Sequence, residues 1–273
     1  MAQQQRRIGF VGAGRMATAL ARGFVAAGCA SPEHIVAFDP LSDAAEAFAR
    51  ATGSATVASN ADVAAAADIV FLSVKPQQMA AVLGELKGRL TGDHLVVSIA
   101  AGIRLDTLAQ ALGAGPRLVR VMPNTPCLVG ESASAFAVGP DASAEDAATV
   151  RELLDAVGTA YPLDEKLLDA VTGLSGSGPG FVFLLIEALV DGGVRMGLPR
   201  DVASALAAQT FKGAAAMVLE TDDTPEVLRG HVTSPGGTTI AGLQVLEERA
   251  VRGAVIAAVE AATLRSQELS QSD

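Results

Sequence analysis

The chain has 273 residues, half of them hydrophobic and only 4% aromatic, with a formal net charge of −10. That length holds one large domain or two ordinary ones, with a sizeable core built from Ala, Val and Leu. The negative balance argues against a nucleic-acid backbone or an anionic membrane as partner.

The polar start, Met1 to Arg7, lacks the apolar run of a secretory signal and leads into a strand over Arg7–Val11. Gly12-Ala13-Gly14-Arg15-Met16-Ala17 follows, and a helix runs on to about Ala27. Further strands are predicted over Ile35–Phe38, at Val57, and over Ile69–Val74, Leu95–Ile99, Leu118–Met122, Ser132–Val138 and Ala160–Leu163. Between them the pattern predicts helices over Ala44–Ala51, Asp62–Ala67, Met79–Leu90, Leu105–Leu112 and Ala144–Val157. Continuous apolar strands alternating with helices mean a doubly wound, Rossmann-type α/β domain, placed here at residues 1–163.

After Pro162 the pattern is helical only, so residues 164–273 form an all-helical second domain. Helices are predicted over Pro179–Met196, Asp201–Leu219 and Thr238–Leu269. The first is apolar on nearly every side, which implies burial within the domain or between subunits. Its run Phe181–Val190 is too short to span a bilayer. Gly192-Gly193 permits close helix contact, Gly197 and Pro199 end the helix, and Asp201 can cap the next. The polar end, Ser266–Asp273, is expected to fray. Cys29 and Cys127 match no metal or redox spacing and read as free core thiols, which suits a reducing cytoplasm.

Gly12-x-Gly14-x-x-Ala17 sits between the first strand and the first helix. Gly12 allows the tight turn, Gly14 the approach of a pyrophosphate, and Ala17 close helix–strand packing, so Gly12, Ala13, Gly14, Arg15 and Met16 are read as cofactor-binding. Asp39 ends the second strand, where a carboxylate accepts from the ribose 2′-OH of NAD and repels the 2′-phosphate of NADP. Asn60 either reaches the adenosine side or caps the helix that follows. Val74, Lys75 and Pro76 end one strand and Ala100, Ala101 and Gly102 the next, with their backbone towards the cofactor. Lys75 reads as a solvated charge rather than a general acid. Met122-Pro123-Asn124-Thr125-Pro126 stiffens a loop carrying the Asn124 amide towards the cleft, where Asn124 is read as cofactor-binding.

A second anion-ready stretch lies more than two hundred residues on, at Thr233-Ser234-Pro235-Gly236-Gly237-Thr238-Thr239. Glycines let the backbone curl, and the helix start leaves N–H groups unpaired. Gly237, Thr238 and Thr239 offer backbone donors for a small carboxylate, with the Ser234 hydroxyl beside them. Ser175-Gly176-Ser177-Gly178-Pro179 opens the apolar helix and adds donors of the same kind. Glu187 and Asp191 lie one turn apart, and pairing of Asp191 with Arg195 is preferred over acid–base work. His34 and His94 read as surface loop residues, and His231 lies near the second stretch. No metal site is expected.

Five segments in this order resemble the pyrroline-5-carboxylate reductase family: Ile8–Ala17 (IGFVGAGRMA), Val74–Gln77 (VKPQ), Arg120–Pro126 (RVMPNTP), Leu174–Pro179 (LSGSGP) and Thr233–Thr239 (TSPGGTT). The resemblance implies reduction of the cyclic imine Δ1-pyrroline-5-carboxylate to L-proline by NAD(P)H. It implies a helical C-terminal domain that interlocks in a homodimer, in a family whose dimers often assemble into rings. It puts Thr239 beside the substrate nitrogen as a hydrogen-bond donor and proton relay. It also puts Ser177 and Gly178 in the proline-side pocket. Two departures stand out. Phe38-Asp39-Pro40 replaces a polar Asn-Arg type pair and points to NADH, and Gly180-Phe181 replaces Ala-Tyr. A hydroxyacid reductase of the same architecture would need a lysine on the helix Pro179–Met196, which has none; Lys212 is the nearest candidate. A nucleotide sensor without turnover has no need of a second small-acid site.

Overall fold

Strands of Ile, Val, Leu and Phe without a polar face must be covered on both sides, and the first part of the chain is built that way. The computed structural model describes residues 6–271. Among these, 6–177 with 261–271 form one unit and Gly178–Glu260 another.

The first unit holds β1 (Ile8–Val11), β2 (Ile35–Phe38), β3 (Ala55–Thr56), β4 (Ile69–Leu72), β5 (Leu95–Ser98), β6 (Arg117–Met122), β7 (Ser132–Val138) and β8 (Gly158–Pro162). They form one sheet in the order β3-β2-β1-β4-β5-β6-β7-β8. The first six run parallel, β7 is antiparallel to β6, and β8 is parallel to β7. The helices are α1 (Arg15–Ala26), α2 (Ser42–Thr52), α3 (Asn60–Ala66), α4 (Pro76–Leu86), α5 (Leu105–Leu112) and α6 (Ala144–Asp155). Side-chain alternation along the strands divides the core into two layers. Ile8, Phe10, Phe71, Val97 and Val121 pack with Leu20 and Phe24 of α1, Phe48 of α2 and Leu153 of α6. Val11, Val70, Leu72, Val96 and Leu118 pack with Val63 of α3, Leu83 and Leu86 of α4 and Leu108 of α5. Phe10 stacks on Phe71 with ring centroids 5.1 Å apart. Each fully buried ring contributes roughly 1.5–3 kcal/mol, so a layer with Phe10, Phe24, Phe48, Phe71 and Phe136 is hard to disturb locally.

After β8 the chain crosses the second layer as a short helical path. A 3-10 turn at Glu165–Leu167 leads into α7 (Leu168–Val171), with Leu168 buried in that layer, and then a π turn at Thr172–Gly176. The second unit follows: α8 (Gly178–Arg195), α9 (Arg200–Glu220), α10 (Pro225–His231), α11 (Thr238–Glu248) and α12 (Val251–Gln271), whose last turns belong to the first unit.

The structure revises several expectations. The helix expected over Thr238–Leu269 is two, because Ala250 adopts a φ of 53° between them. Asp201 does not cap α9, whose N-cap is Pro199. Gly193, not Gly192, makes the close helix contact; a Cβ on it would meet Ala203 and Leu198 at 3.3 Å. The polar end does not fray through Ser270: Ser266 is buried and donates to the Asp169 carboxylate at 2.6 Å, and Ser270 joins it at 3.4 Å. Met1–Gln5, Ser272 and Asp273 lie outside the described residues.

Within Gly178–Glu260 the buried hydrophobic residues are Val190, Ala203, Ala207 and Leu228. Phe183 and Leu184 of the apolar helix are 64% and 65% exposed in the single chain. Burial of that helix inside its own domain is therefore excluded. Glu165–Arg195 and Arg200–Glu220 are long and apolar enough to cross a membrane by length and composition. The shorter apolar run read from the sequence stops at Asp191, whereas the helix continues through Gly192 and Gly193.

Candidate active site

The C-terminal ends of β1, β2, β4, β5 and β6 share one edge of the sheet, where such folds place their ligands. Gly12 has a φ of +93°, and a Cβ there would lie 3.0 Å from the Ser73 backbone. The Ser73 hydroxyl donates to the carbonyls of Val11 and Gly12 at 3.0 and 2.8 Å, pinning the turn. Gly14 is the N-cap of α1; no side chain caps it, and no acidic residue lies in the first turn. A Cβ on Gly14 would meet nothing within 4 Å. This uncapped helix start, with exposed Arg15 and half-buried Met16, fits a pyrophosphate. Ala17 is fully buried, as helix–strand packing requires.

Asp39 is tied into the same loop. Its Oδ2 accepts from the Ala13 amide at 2.9 Å and its Oδ1 from Leu41 at 3.0 Å. Phe38–Asp43 holds no Lys or Arg to receive a second phosphate. Lys75 is exposed and N-caps α4, with Pro76 in its first turn and half-buried Val74 before it. Ala100 is buried, Ala101 exposed, and Gly102 turns the chain with a φ of +81°.

Asn60 does not cap the helix that follows. Ser59 is the N-cap of α3, and the buried Asn60 amide donates to Glu85 Oε2 at 2.7 Å. Asn124 is buried as well. Its Oδ1 accepts from the Ala133 amide at 3.0 Å and from the Ser132 hydroxyl at 3.1 Å, while its Nδ2 donates to the Ser175 carbonyl at 3.0 Å. A carboxamide so engaged keeps one N–H for anything else. Cys127, in the next turn, is buried, and burial pushes its thiol up to about 11.

Arg120 was not legible as a partner in the sequence. It sits 4% exposed in the middle of β6 and reaches Glu165 Oε1 at 3.1 Å. The same oxygen accepts from the Leu105 amide at the start of α5, at 2.7 Å. An arginine inside the apolar run Leu118–Met122 is the signal: a buried guanidinium requires a carboxylate.

The second unit carries Thr233–Thr239. Gly236 has a φ of +69°, and the Gly237 amide donates to the Ser234 carbonyl at 3.0 Å. Gly237 is the N-cap of α11, and no side chain caps that helix. A Cβ on Gly237 would fall 2.4 Å from Ser234 Oγ, so glycine is what lets the hydroxyl sit at the helix mouth. Thr238 is exposed and Thr239 half-buried. Gly178 begins α8, and Ser177 before it ends the π turn, its amide donating to the Thr172 carbonyl at 2.8 Å. Gly180 is exposed and Phe181 half-buried.

Asp191 pairs with Arg200 at 3.0 Å, not Arg195, because the turn after α8 brings α9 back beside it. Lys212 is exposed on α9. His94 is more than a surface residue: its ring nitrogens hold the Thr91 amide and the Ala64 carbonyl, each at 3.0 Å. His34 meets Ser31 at 2.7 Å, and His231 closes α10. Among the described residues no group of His, Cys, Asp and Glu could hold a metal ion.

Comparison with known proteins adds to this geometry. Residues 165–269 match the family profile for pyrroline-5-carboxylate reductase dimerisation. Residues 7–102 match that for NADP oxidoreductase, coenzyme F420-dependent. A pyrroline-5-carboxylate reductase of Arabidopsis thaliana is 48% identical over 97% of this chain and 96% of its own. One of Methanosarcina acetivorans is 47% identical over 98% and 99%. The solved pyrroline-5-carboxylate reductase of Coxiella burnetii superposes with a TM-score of 0.92 at 36% identity, covering 98% of this chain and 99% of that one. The Plasmodium falciparum pyrroline carboxylate reductase, solved with NADP bound, gives 0.88 at 33% identity, covering 98% and 100%. With two uncapped helix starts and relatives alike over nearly their whole length, the chain belongs to the pyrroline-5-carboxylate reductase family.

Proposed function

We infer that this chain is a pyrroline-5-carboxylate reductase, which transfers hydride from NAD(P)H to the imine carbon of Δ1-pyrroline-5-carboxylate. The ring nitrogen takes up a proton, and the products are L-proline and the oxidised nucleotide. The observation that carries this reading beyond family membership is the open mouth of α11, where Ser234 Oγ lies against Gly237 beside uncapped amides. That is a site for a small carboxylate.

The nucleotide, once bound, supplies the hydride. Gly12, Ala13, Gly14, Arg15 and Met16 would hold its pyrophosphate, and Asp39 its adenosine ribose. Val74, Lys75, Pro76, Ala100, Ala101 and Gly102 would line its path along the sheet edge. Asn60, engaged with Glu85, lines the adenosine side at most through its backbone. Ser234, Gly237 and Thr238 would hold the substrate carboxylate, Ser177 and Gly178 its ring, and the Thr239 hydroxyl its nitrogen. Thr239 is a weak acid, so most of the rate comes from holding the imine against the donor. Asp39 and the absence of Lys and Arg from Phe38–Asp43 support NADH as the preferred donor.

The functional division follows residues 1–163 and 164–273, the second forming a homodimer and, through it, a larger ring. The exposed apolar residues of α8 and α9 support this, since a single copy leaves them uncovered. The dimerisation profile spans both helices, which favours subunit contact over a membrane. Two free thiols suit the cytoplasm. The test is oxidation of NADH and of NADPH by the purified protein with and without pyrroline-5-carboxylate. Imine-dependent oxidation with proline as product is expected, and none with either nucleotide would refute the reading.

A further inference from the structure

Sequence placed Asn124 at the cofactor, yet nearly all of its hydrogen-bonding capacity is turned inward. The loop after β6 and the π turn before α8 meet at two points within the first unit. One is the bond from Asn124 Nδ2 to the Ser175 carbonyl, 3.0 Å long. The other is Gly176, where a Cβ would fall 2.4 Å from the end of the Met122 side chain. Behind Asn124 the chain of polar contacts continues through Ser132 to Ser134, whose hydroxyls are 2.8 Å apart, and all three residues are buried. On the other side, the π turn carries further ties. Thr172 Oγ1 donates to the Leu168 carbonyl at 2.8 Å and Ser175 Oγ to that of Val171 at 3.2 Å. Single π turns are marginal conformations that persist where their surroundings hold them.

We propose that Asn124 is a positioning residue for the substrate, not a nucleotide ligand: its carboxamide fixes the π turn that presents Ser177 and Gly178. A satisfied buried polar network is rigid and specifies one arrangement, which is what a loop holding a small ring requires. The inference rests on the reading that Ser177 and Gly178 contact the substrate, and it is tested so that the two can fail separately.

Asn124→Asp keeps the shape and both acceptor bonds to Ser132 and Ala133, but it removes the donor and sets a carboxylate against the Ser175 carbonyl. The KM for pyrroline-5-carboxylate should rise about tenfold or more, since small misplacements are costly in such sites. The dissociation constant of the nucleotide, measured by calorimetry, should stay within about twofold, because uniform binding there is untouched. A rise in the nucleotide constant matching that in KM would overturn the proposal, as would an unchanged KM in a folded protein. Should Asn124→Asp not fold, Ser132→Ala releases one of the two bonds orienting the carboxamide and should raise the same KM about two- to fivefold; no change would overturn the proposal. Ser177→Ala separates the readings. If it leaves the KM unchanged, the loop does not hold the substrate and the inference falls with that reading. If it raises the KM while Asn124→Asp does not, only the positioning role falls.

Discussion

The Asp39 carboxylate lies 2.9 Å from the Ala13 amide, so the residue that would choose the nucleotide also shapes the loop that would receive its pyrophosphate. Replacing Asp39 with Ser removes the charge and leaves a hydroxyl. The ratio of kcat/KM for NADH to that for NADPH should fall by about tenfold, the value of one charge-assisted hydrogen bond of about 1.5 kcal/mol. Steady-state kinetics with both nucleotides checks this, and an unchanged ratio would remove Asp39 as the selector. Both nucleotides should also bind somewhat more weakly, because Ala13 loses its acceptor.

Thr239 separates chemistry from binding. Thr239→Ala should lower kcat about 100-fold, the usual cost of losing one donor aimed at the reacting group. The nucleotide dissociation constant should not move. Thr239→Ser keeps the hydroxyl and should retain most of the rate. Single-turnover hydride transfer is the measurement, and a wild-type rate in the alanine variant would refute the role.

The Arg120–Glu165 pair is a stability test. Arg120 and Glu165 side chains are 5% and 23% exposed, so the guanidinium is the group that cannot find water if its partner leaves. Glu165→Ala should cost about 3 kcal/mol or more, while replacing both residues with Met should cost less than either single change. Urea unfolding at one fixed protein concentration measures it, since dimerisation would otherwise contribute. Additive single changes would show that the pair is not coupled.

Cys127 gives the chain an alkaline weakness. Burial raises its thiol from the ordinary 9.0 to about 11, so the folded state holds the proton more tightly than the unfolded chain. The stability this confers is complete below pH 9.0 and is lost as pH rises through about 11. Two pH units correspond to about 3 kcal/mol at most. Cys127→Ala lacks that dependence, so its stability relative to wild type should improve steadily across the same range. Denaturant titrations in alkaline buffers check this; parallel curves for the two proteins would contradict it.

The parts most legible in the sequence were those fixed by burial. β2, β7 and α5 have the expected bounds because apolar runs ended by Asp, Gly or Pro leave little freedom. What escaped notice depends on contacts between distant residues. The reversal of β7 shows in its pairing with β6, not in its composition. Asn60 and Asn124 are ambiguous until Glu85 and Ser175 are seen beside them. Ala250 breaks a helix with a φ of 53° although alanine is a strong helix former. The α10 helix has only 7 residues, two of them Pro225 and Gly230, and so shows no helical period in the sequence.

The segment after β8 sets a rule for rebuilding this protein. β7 and β8 run away from the nucleotide edge, yet β8 ends with Pro162 level with Val121, one residue short of the end of β6. Residues 163–177 follow, held by Arg120 through Glu165 and by Asn124 through Ser175. A chimera joined directly after β8 would strand both anchors. One joined after Ser177 would inherit both intact.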